Sequence, residues 1–316
     1  MVIKTVLITG GLGCLGGGLA QHLLNAGYQV VVGSSRRNAQ LPRELTGCSL
    51  VYTDFDNIDE LARICHKVDG IVHLATVNAQ QCNKDPVLAT KVNGIGTYNL
   101  VQAALRSRVK YFLYFSTAHV YGKSLTGMVS EDSVSMPTHP YAITHRLAED
   151  FLLSELDSQS IMGSVIRLSN SIGLPLVKEA NCWMLFVNDV CLQAIVDRRI
   201  VINSNPNSQR DFIPMTAVFK TVESFLSNPK ILEFPVFNVG SGVSYTLMQM
   251  ASMIANRCER LFGYYPEISV NECDSIQLPG LEYKIDKLMS VMECEMDTNL
   301  ELSIDEVLMF CNARFG

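Results

Sequence analysis

VLITGGLGCLGGGLAQHLLNAGYQVVV, residues 6–32, decides how the rest of the chain is read. Val6, Leu7 and Ile8 form the short apolar run of a buried parallel strand, and Thr9 ends it. Gly10, Gly11, Gly13 and Gly16 follow, and then an alanine- and leucine-rich helix. Strand, glycine turn and helix in that order are the setting in which such a pattern signifies dinucleotide binding. Gly10 turns the chain where a Cβ would clash, Gly13 lets the backbone approach a pyrophosphate, and Gly16 lets the helix pack on the strand. The helix N-terminus then offers free N–H groups and a partial positive charge to phosphate oxygens. The bland alternative is a glycine-rich loop without a ligand. A strand on either side of the helix favours the cofactor, with Gly10, Gly13, Cys14, Leu15 and Gly16 as its contacts. Cys14 is expected to pack there as a neutral thiol rather than to react.

The second strand, Gln29–Gly33, bears on which dinucleotide fits. An acidic residue at its end would accept hydrogen bonds from the ribose hydroxyls of NAD. Ser34, Ser35, Arg36 and Arg37 stand there instead, and guanidinium groups suit a 2′-phosphate through bidentate contacts. NADP is therefore favoured over NAD, the alternative being that Arg36 and Arg37 are a solvated loop pair. Leu50–Thr53 reads as the third strand, followed by Asp54 and Phe55 and a helix over about 58–66. Asp54 either accepts from the adenine amino group or caps that helix. The fourth strand, Gly70–Leu74, leads into Ala75 and Thr76, and ligands of open α/β sheets sit at such carboxyl ends. Leu74, Ala75 and Thr76, like Asp54 and Phe55, are counted with the cofactor contacts. So is Asn93, a polar residue on an apolar helical face that needs a partner.

The fifth strand, Tyr111–Phe115, runs into Ser116, Thr117, Ala118, His119, Val120, Tyr121 and Gly122. In HPYAITHRLAEDFL the helical spacing puts Tyr141 and His145 one turn apart on one face. A hydroxyl at a strand end with a tyrosine and a basic residue makes a proton-transfer set beside a nicotinamide. Tyrosine titrates near 10, so a nearby cation is needed for it to act as a base at neutral pH.

With 316 residues the chain has room for one large α/β domain and a smaller one, and 48% apolar with 18% charged residues is an ordinary globular composition. A net charge of −6 gives no reason to expect nucleic acid or an anionic membrane as partner. The apolar part of the N-terminal MVIKTVLITGG is only a strand long, so neither a secretory segment nor a membrane span is expected. Ten scattered cysteines without a C-x-x-C or a Cys/His cluster suggest reduced thiols in a cytoplasmic protein and no metal site.

TGGLGCLG, Asp54, HLA at 73–75, Asn93, STAHVYG and Tyr141 occur in the order found in extended short-chain dehydrogenases/reductases. IRLSNSIG at 166–173, QRDFI at 209–213 and FNVGSG at 237–242 continue that order, so the sequence resembles the family along nearly its whole length. The family contains NAD(P)-dependent nucleotide-sugar epimerases, dehydratases and reductases. The resemblance implies a Rossmann, doubly wound parallel sheet over 1–168, with a later return of the chain near 209–243. A smaller mixed α/β substrate domain would take most of 169–316. It also implies that Ser116 and Thr117 hold the substrate oxygen, that Tyr141 is the acid/base, and that Asn170 and Arg210 grip the sugar or its diphosphate. A homodimer through helices at about 95–105 and 142–153 is implied as well.

The largest departure is His145, where the family has a lysine that binds the nicotinamide ribose and lowers the tyrosine pKa. Histidine near neutral pH is mostly uncharged and shorter, and it offers one donor. Three outcomes compete: a protonated His145 that does the lysine's work, catalysis that is slow or shifted in pH, or a protein that binds the cofactor without turning it over. Ala118 and His119 replace the family dehydratases' Asp-Glu pair, which argues against dehydration and leaves epimerisation or ketosugar reduction. His119 itself reads as a local structural residue. Trp183, placed within an apolar helix between Pro175 and Arg199, reads as core or interface. ECDSIQLPGLEYK, 272–284, reads as a connecting loop.

Overall fold

The computed structural model describes residues 2–122, 125–271, 278–292 and 296–316. Seven strands form one wholly parallel sheet: β1 Thr5–Thr9, β2 Gln29–Ser34, β3 Ser49–Tyr52, β4 Gly70–His73, β5 Tyr111–Thr117, β6 Gly163–Leu168 and β7 Val236–Val239. Their order is β7-β6-β5-β4-β1-β2-β3, with β1 in register with β2 through Val6–Val30 and with β4 through Leu7–Ile71. Alternate side chains of each strand enter opposite cores, as strand geometry requires. Val6 and Ile8 of β1 and Tyr111, Leu113 and Phe115 of β5 pack under the helices Gly16–Asn25 and Met215–Ser227. Leu7, Phe112 and Tyr114 point the other way, against the helices Ile58–Cys65, Gly96–Arg106 and Pro140–Asp157. Both faces are covered, which is why the strands read as apolar runs rather than alternating ones.

A third core gathers the helices Phe186–Val196, Leu247–Phe262 and Leu300–Phe315 around Phe212, Ile200 and Ile202. Gln209–Pro214 pairs parallel with Asn170–Ile172 and antiparallel with Ser244–Thr246. Arg199–Ile202 pairs with Glu267–Val270. The fold is thus α/β with a doubly wound parallel sheet and smaller sheets in the C-terminal part.

Two elements differ from the sequence expectation. Leu281–Tyr283, expected within a connecting loop, is a strand paired with Gly127–Val129; residues 272–277 of that loop lie outside the described residues. Tyr283 anchors it: the ring is buried and its hydroxyl donates to the Arg167 carbonyl at 2.7 Å. Trp183 precedes its helix, which begins at Phe186 after Leu185 in extended conformation. Its indole stacks on Phe310 and meets Phe315 edge-on, ring centres 6.3 and 5.7 Å away.

Candidate active site

The strand order reverses between β1 and β4, and a crevice opens there at their carboxyl ends. A buried relay fixes the two strand ends together. Thr97 gives its hydroxyl proton to the Asn93 carbonyl, so it accepts from His73 Nε2, and His73 Nδ1 accepts from the Thr9 hydroxyl. Burial holds His73 neutral, its pKa pushed down to about 3, which this chain of donors requires. Asn93 completes the frame by accepting from Val77 N–H at 2.8 Å and donating to Thr144 on the Tyr141 helix at 3.0 Å.

From this crevice a cleft of about 1050 Å³ runs from the glycine turn to Arg210. At one end Gly10, with φ +67°, turns the chain so tightly that a Cβ would come within 2.9 Å of the Ala75 backbone. A Cβ on Gly16 would overlap the Gly10 carbonyl oxygen. The helix Gly16–Asn25 has no acidic residue in its first turn, so no carboxylate of its own competes for a phosphate at its N-terminus. Cys14 is held as a thiol, burial and then Cys182 raising it to about 12. Leu15, Ser34, Ser35, Arg36, Leu74, Ala75 and Thr76 line the same end.

The middle of the cleft carries the expected proton-transfer group. His139 accepts from Tyr141 N–H at 3.2 Å and Pro140 takes the first helical position, so the helix Pro140–Asp157 begins with Tyr141 in its first turn. Tyr141 meets His145 edge-on, ring centres 4.4 Å apart. Burial raises the Tyr141 phenol to about 12, and Cys82 adds to this while hydrogen bonding to Thr117 opposes it. Burial also depresses His145 to about 3, so the imidazole is neutral and not the cation that a tyrosine base needs. Its Nδ1 lies 2.7 Å from the Tyr114 hydroxyl, while Nε2 is buried and has no partner among the described residues. The Ser116 hydroxyl is likewise buried and without a partner among the described residues.

At the far end, Asn170 donates to the Asp211 carbonyl at 2.9 Å. Arg210 and Asp211 point apart. The Asp211 carboxylate accepts from Ser241 N–H at 2.9 Å and Gly242 N–H at 2.7 Å, pinning the turn after β7. Arg210 lines the cleft over Phe186, 5.8 Å from the ring centre, and no carboxylate pairs with it among the described residues. An unpaired guanidinium there is a site for an anion.

Gly10, Gly13, Cys14, Leu15, Gly16, Ser34, Ser35, Arg36, Leu74, Ala75, Thr76, Ser116, Thr117, Tyr141, His145, Asn170 and Arg210 thus share one cleft. Four expected cofactor contacts fall outside its lining. Arg37 stacks on Tyr52 at 4.4 Å, Asp54 accepts from Asp56 N–H, Phe55 packs edge-on to His73, and Asn93 is consumed by the buried frame. Conversely, His119 and Trp183, read from sequence as structural, both line the cleft. His119 lies two residues after Thr117 and is exposed within the cleft, where the surrounding walls and then Arg210 lower its pKa. Among the described residues no cluster of His, Cys, Asp and Glu could hold a metal ion, and no helix is long and apolar enough to cross a membrane.

The residues present fit a dinucleotide: a glycine cradle that side chains would fill, a helix N-terminus free of acid, and an orphaned Nε2 at the opposite wall. Comparison with known proteins agrees. The chain is 26% identical to UDP-glucose 4-epimerase of Bacillus subtilis over 273 residues, 78% of this chain and 79% of that protein. It is 26% identical to GDP-6-deoxy-D-talose 4-dehydrogenase of Aggregatibacter actinomycetemcomitans over 314 residues, 95% of this chain and 99% of that one. Among solved structures, MoeE5 in complex with UDP-glucuronic acid and NAD superposes with a TM-score of 0.81 at 19% identity, covering 98% of this chain and 99% of the other. The model of the NAD dependent epimerase/dehydratase family matches residues 6–240, and the chain is an enzyme belonging to that family.

Proposed function

We propose that this enzyme transfers hydride between a nicotinamide dinucleotide and a carbon of a nucleotide sugar, as an epimerase or a 4-ketosugar reductase. The carrying observation is that Tyr141, Thr117 and His145 stand midway along one cleft whose ends are the glycine turn and Arg210. When bound, the nicotinamide supplies or accepts the hydride. Ser116 and Thr117 orient the substrate oxygen, Tyr141 exchanges the proton on it, and Arg210 with Asn170 holds the sugar diphosphate. A phenol near 12 is a proton donor at neutral pH, which suits protonation of the oxygen formed when a ketone is reduced. Ser34, Ser35 and Arg36 at the adenosine end favour NADP over NAD. Residues 169–316, less the return through 209–243, form the substrate part. Exposed Ile95, Tyr98 and Ile143 on the helices at about 95–105 and 142–153 support a homodimer through that face.

The test is to incubate the protein with NADPH or NADH and a panel of nucleotide 4-ketosugars and nucleotide sugars. Nicotinamide absorbance and sugar stereochemistry are then followed. Consumption of reduced cofactor or interconversion of epimers is expected; neither, with any member, would overturn the reading. A second reading, cofactor binding without turnover, is favoured by the neutral state of His145. It predicts dinucleotide binding with no change in either observable.

A further inference from the structure

Tyr114 lies on β5 behind the active-site helix and is fully buried. Its hydroxyl has one hydrogen-bond partner among the described residues, Nδ1 of His145 at 2.7 Å. Burial keeps both groups neutral, lowering the histidine and raising the phenol. Two arrangements of protons are then open. If Nδ1 carried the ring proton, it would donate to the Tyr114 oxygen, and the Tyr114 O–H would have nothing to donate to. His73, whose ring packs 5.6 Å from that of Tyr114, gives no acceptor, because Thr9 and Thr97 engage both of its nitrogens. Nε2 would meanwhile be a bare buried acceptor. If Tyr114 donates to Nδ1 instead, its hydroxyl is satisfied and the ring proton sits on Nε2. Among the described residues each arrangement leaves one buried donor without an acceptor, the Tyr114 O–H in the first and Nε2–H in the second, but the first also strands Nε2 as a bare acceptor, so the second is favoured, and its spare donor is on the ring that lines the cleft.

We propose that Tyr114 is a positioning residue that holds His145 as the Nε2–H tautomer, so that this histidine presents a single uncharged donor to the nicotinamide ribose. Among the described residues Nε2 is the one nitrogen of the ring left without a partner, and the ring lines the cleft. The tautomer follows from the hydrogen-bond geometry alone; its use toward ribose rests on the dinucleotide reading above. A neutral donor replaces a hydrogen bond that the family's lysine would make but not its charge. The pair therefore acts on dinucleotide affinity more than on the chemical step.

Ring nitrogens of 15N-histidine-labelled, ligand-free protein report the tautomer directly by long-range 1H–15N correlation. His145 is expected to show a protonated Nε2 and an unprotonated Nδ1, and Tyr114→Phe to mix or reverse them. A protonated Nδ1 in the unmodified protein would overturn the proposal. Titration with NAD+ and with NADP+, followed by calorimetry, tests the second half. Tyr114→Phe is expected to raise Kd about tenfold, and KM for the dinucleotide with it, while kcat changes less than about twofold. His145→Gln keeps an uncharged donor near the position of Nε2 without needing the Tyr114 hydroxyl. On that background Tyr114→Phe is expected to leave Kd unchanged. An equal effect on both backgrounds would mark Tyr114 as mere packing and overturn the proposal. If neither dinucleotide bound the unmodified protein while the Nε2–H tautomer was present, the dinucleotide reading and the ribose role would fall, and the Tyr114–His145 geometry would stand.

Discussion

Single atoms decide whether the glycine turn leaves room for a phosphate and whether the Tyr141 phenol keeps its proton. At Gly16 the missing Cβ is what lets the helix start against the Gly10 carbonyl, and backbone on both sides leaves no flexible neighbour to yield. Gly16→Ala is expected to push the turn away from the phosphate position and raise the dinucleotide Kd at least tenfold by calorimetry. It is also expected to cost about 1–3 kcal/mol of stability through overpacking. An unchanged Kd would show that the turn does not hold phosphate. His145→Lys asks the complementary question about charge. An ammonium beside Tyr141 favours the phenolate, whereas the present neutral ring does not. The rising limb of the pH–rate profile for alcohol oxidation is expected to move down by about 1 pH unit or more, on the order of a tenfold gain at pH 8. The signs follow from the phenol: oxidation needs the base form and rises with pH towards about 12, while reduction needs the acid form and falls there. A profile that does not move would remove Tyr141 from the proton path.

Whole elements carry these residues to the cleft, and the helix Pro140–Asp157 does so through an ion pair in its middle. Glu149 is fully buried and accepts from Arg167 on β6 at 2.8 and 3.2 Å, and Arg167 also lies over the Tyr121 ring at 4.7 Å. The pair ties the Tyr141 helix to the strand beside β5, so it governs where the helix start sits. Glu149→Gln leaves a buried guanidinium without its counter-charge and is expected to destabilise the protein by about 3–5 kcal/mol in urea unfolding. A loss under about 1 kcal/mol would mean the guanidinium finds water or another partner. Sequence alone exposed the elements whose signal is local. The apolar runs of β1 and β5, the glycine turn and the one-turn spacing of Tyr141 and His145 all stand as read. What stayed hidden depends on neighbours distant in sequence. Leu281–Tyr283 becomes a strand only because Gly127–Val129 is there to pair with it, and Trp183 leaves its expected helix for Phe310 and Phe315. Asn93 was legible as a buried polar group in need of partners, but that Val77 and Thr144 rather than a cofactor would supply them was not. Tyr114 as the partner of His145 was equally invisible, since a tyrosine in a buried strand reads as core.

At the scale of the whole molecule, the cores beneath the cleft hold two histidines neutral, and this ties folding to pH. His73 and His145 are 1% and 2% exposed, and burial lowers each from 6.5 to about 3. Between those values the unfolded chain carries protons on them that the folded protein does not. Stability contributed by each is therefore fully present above about pH 6.5 and is lost as pH falls, by up to about 1.4 kcal/mol per pH unit per group. Asp211 runs the other way. Burial raises it from 3.8 to about 6, so between those values the folded state holds the extra proton and acidification favours folding. From pH 7 to pH 5 two histidines outweigh one carboxyl, and a net loss of roughly 2–3 kcal/mol is expected. The measurement is the urea midpoint at both pH values, with His145→Gln as the control that removes one titrating ring. Because Asp211 still offsets the remaining ring, the control is expected to lose only about a quarter as much on acidification; a midpoint at pH 5 equal to that at pH 7 in the unmodified protein would mean that these rings already carry protons when folded. In that event His145 would be a cation beside Tyr141 after all, and the phenol would serve as a base at ordinary pH rather than as the donor that its burial makes it.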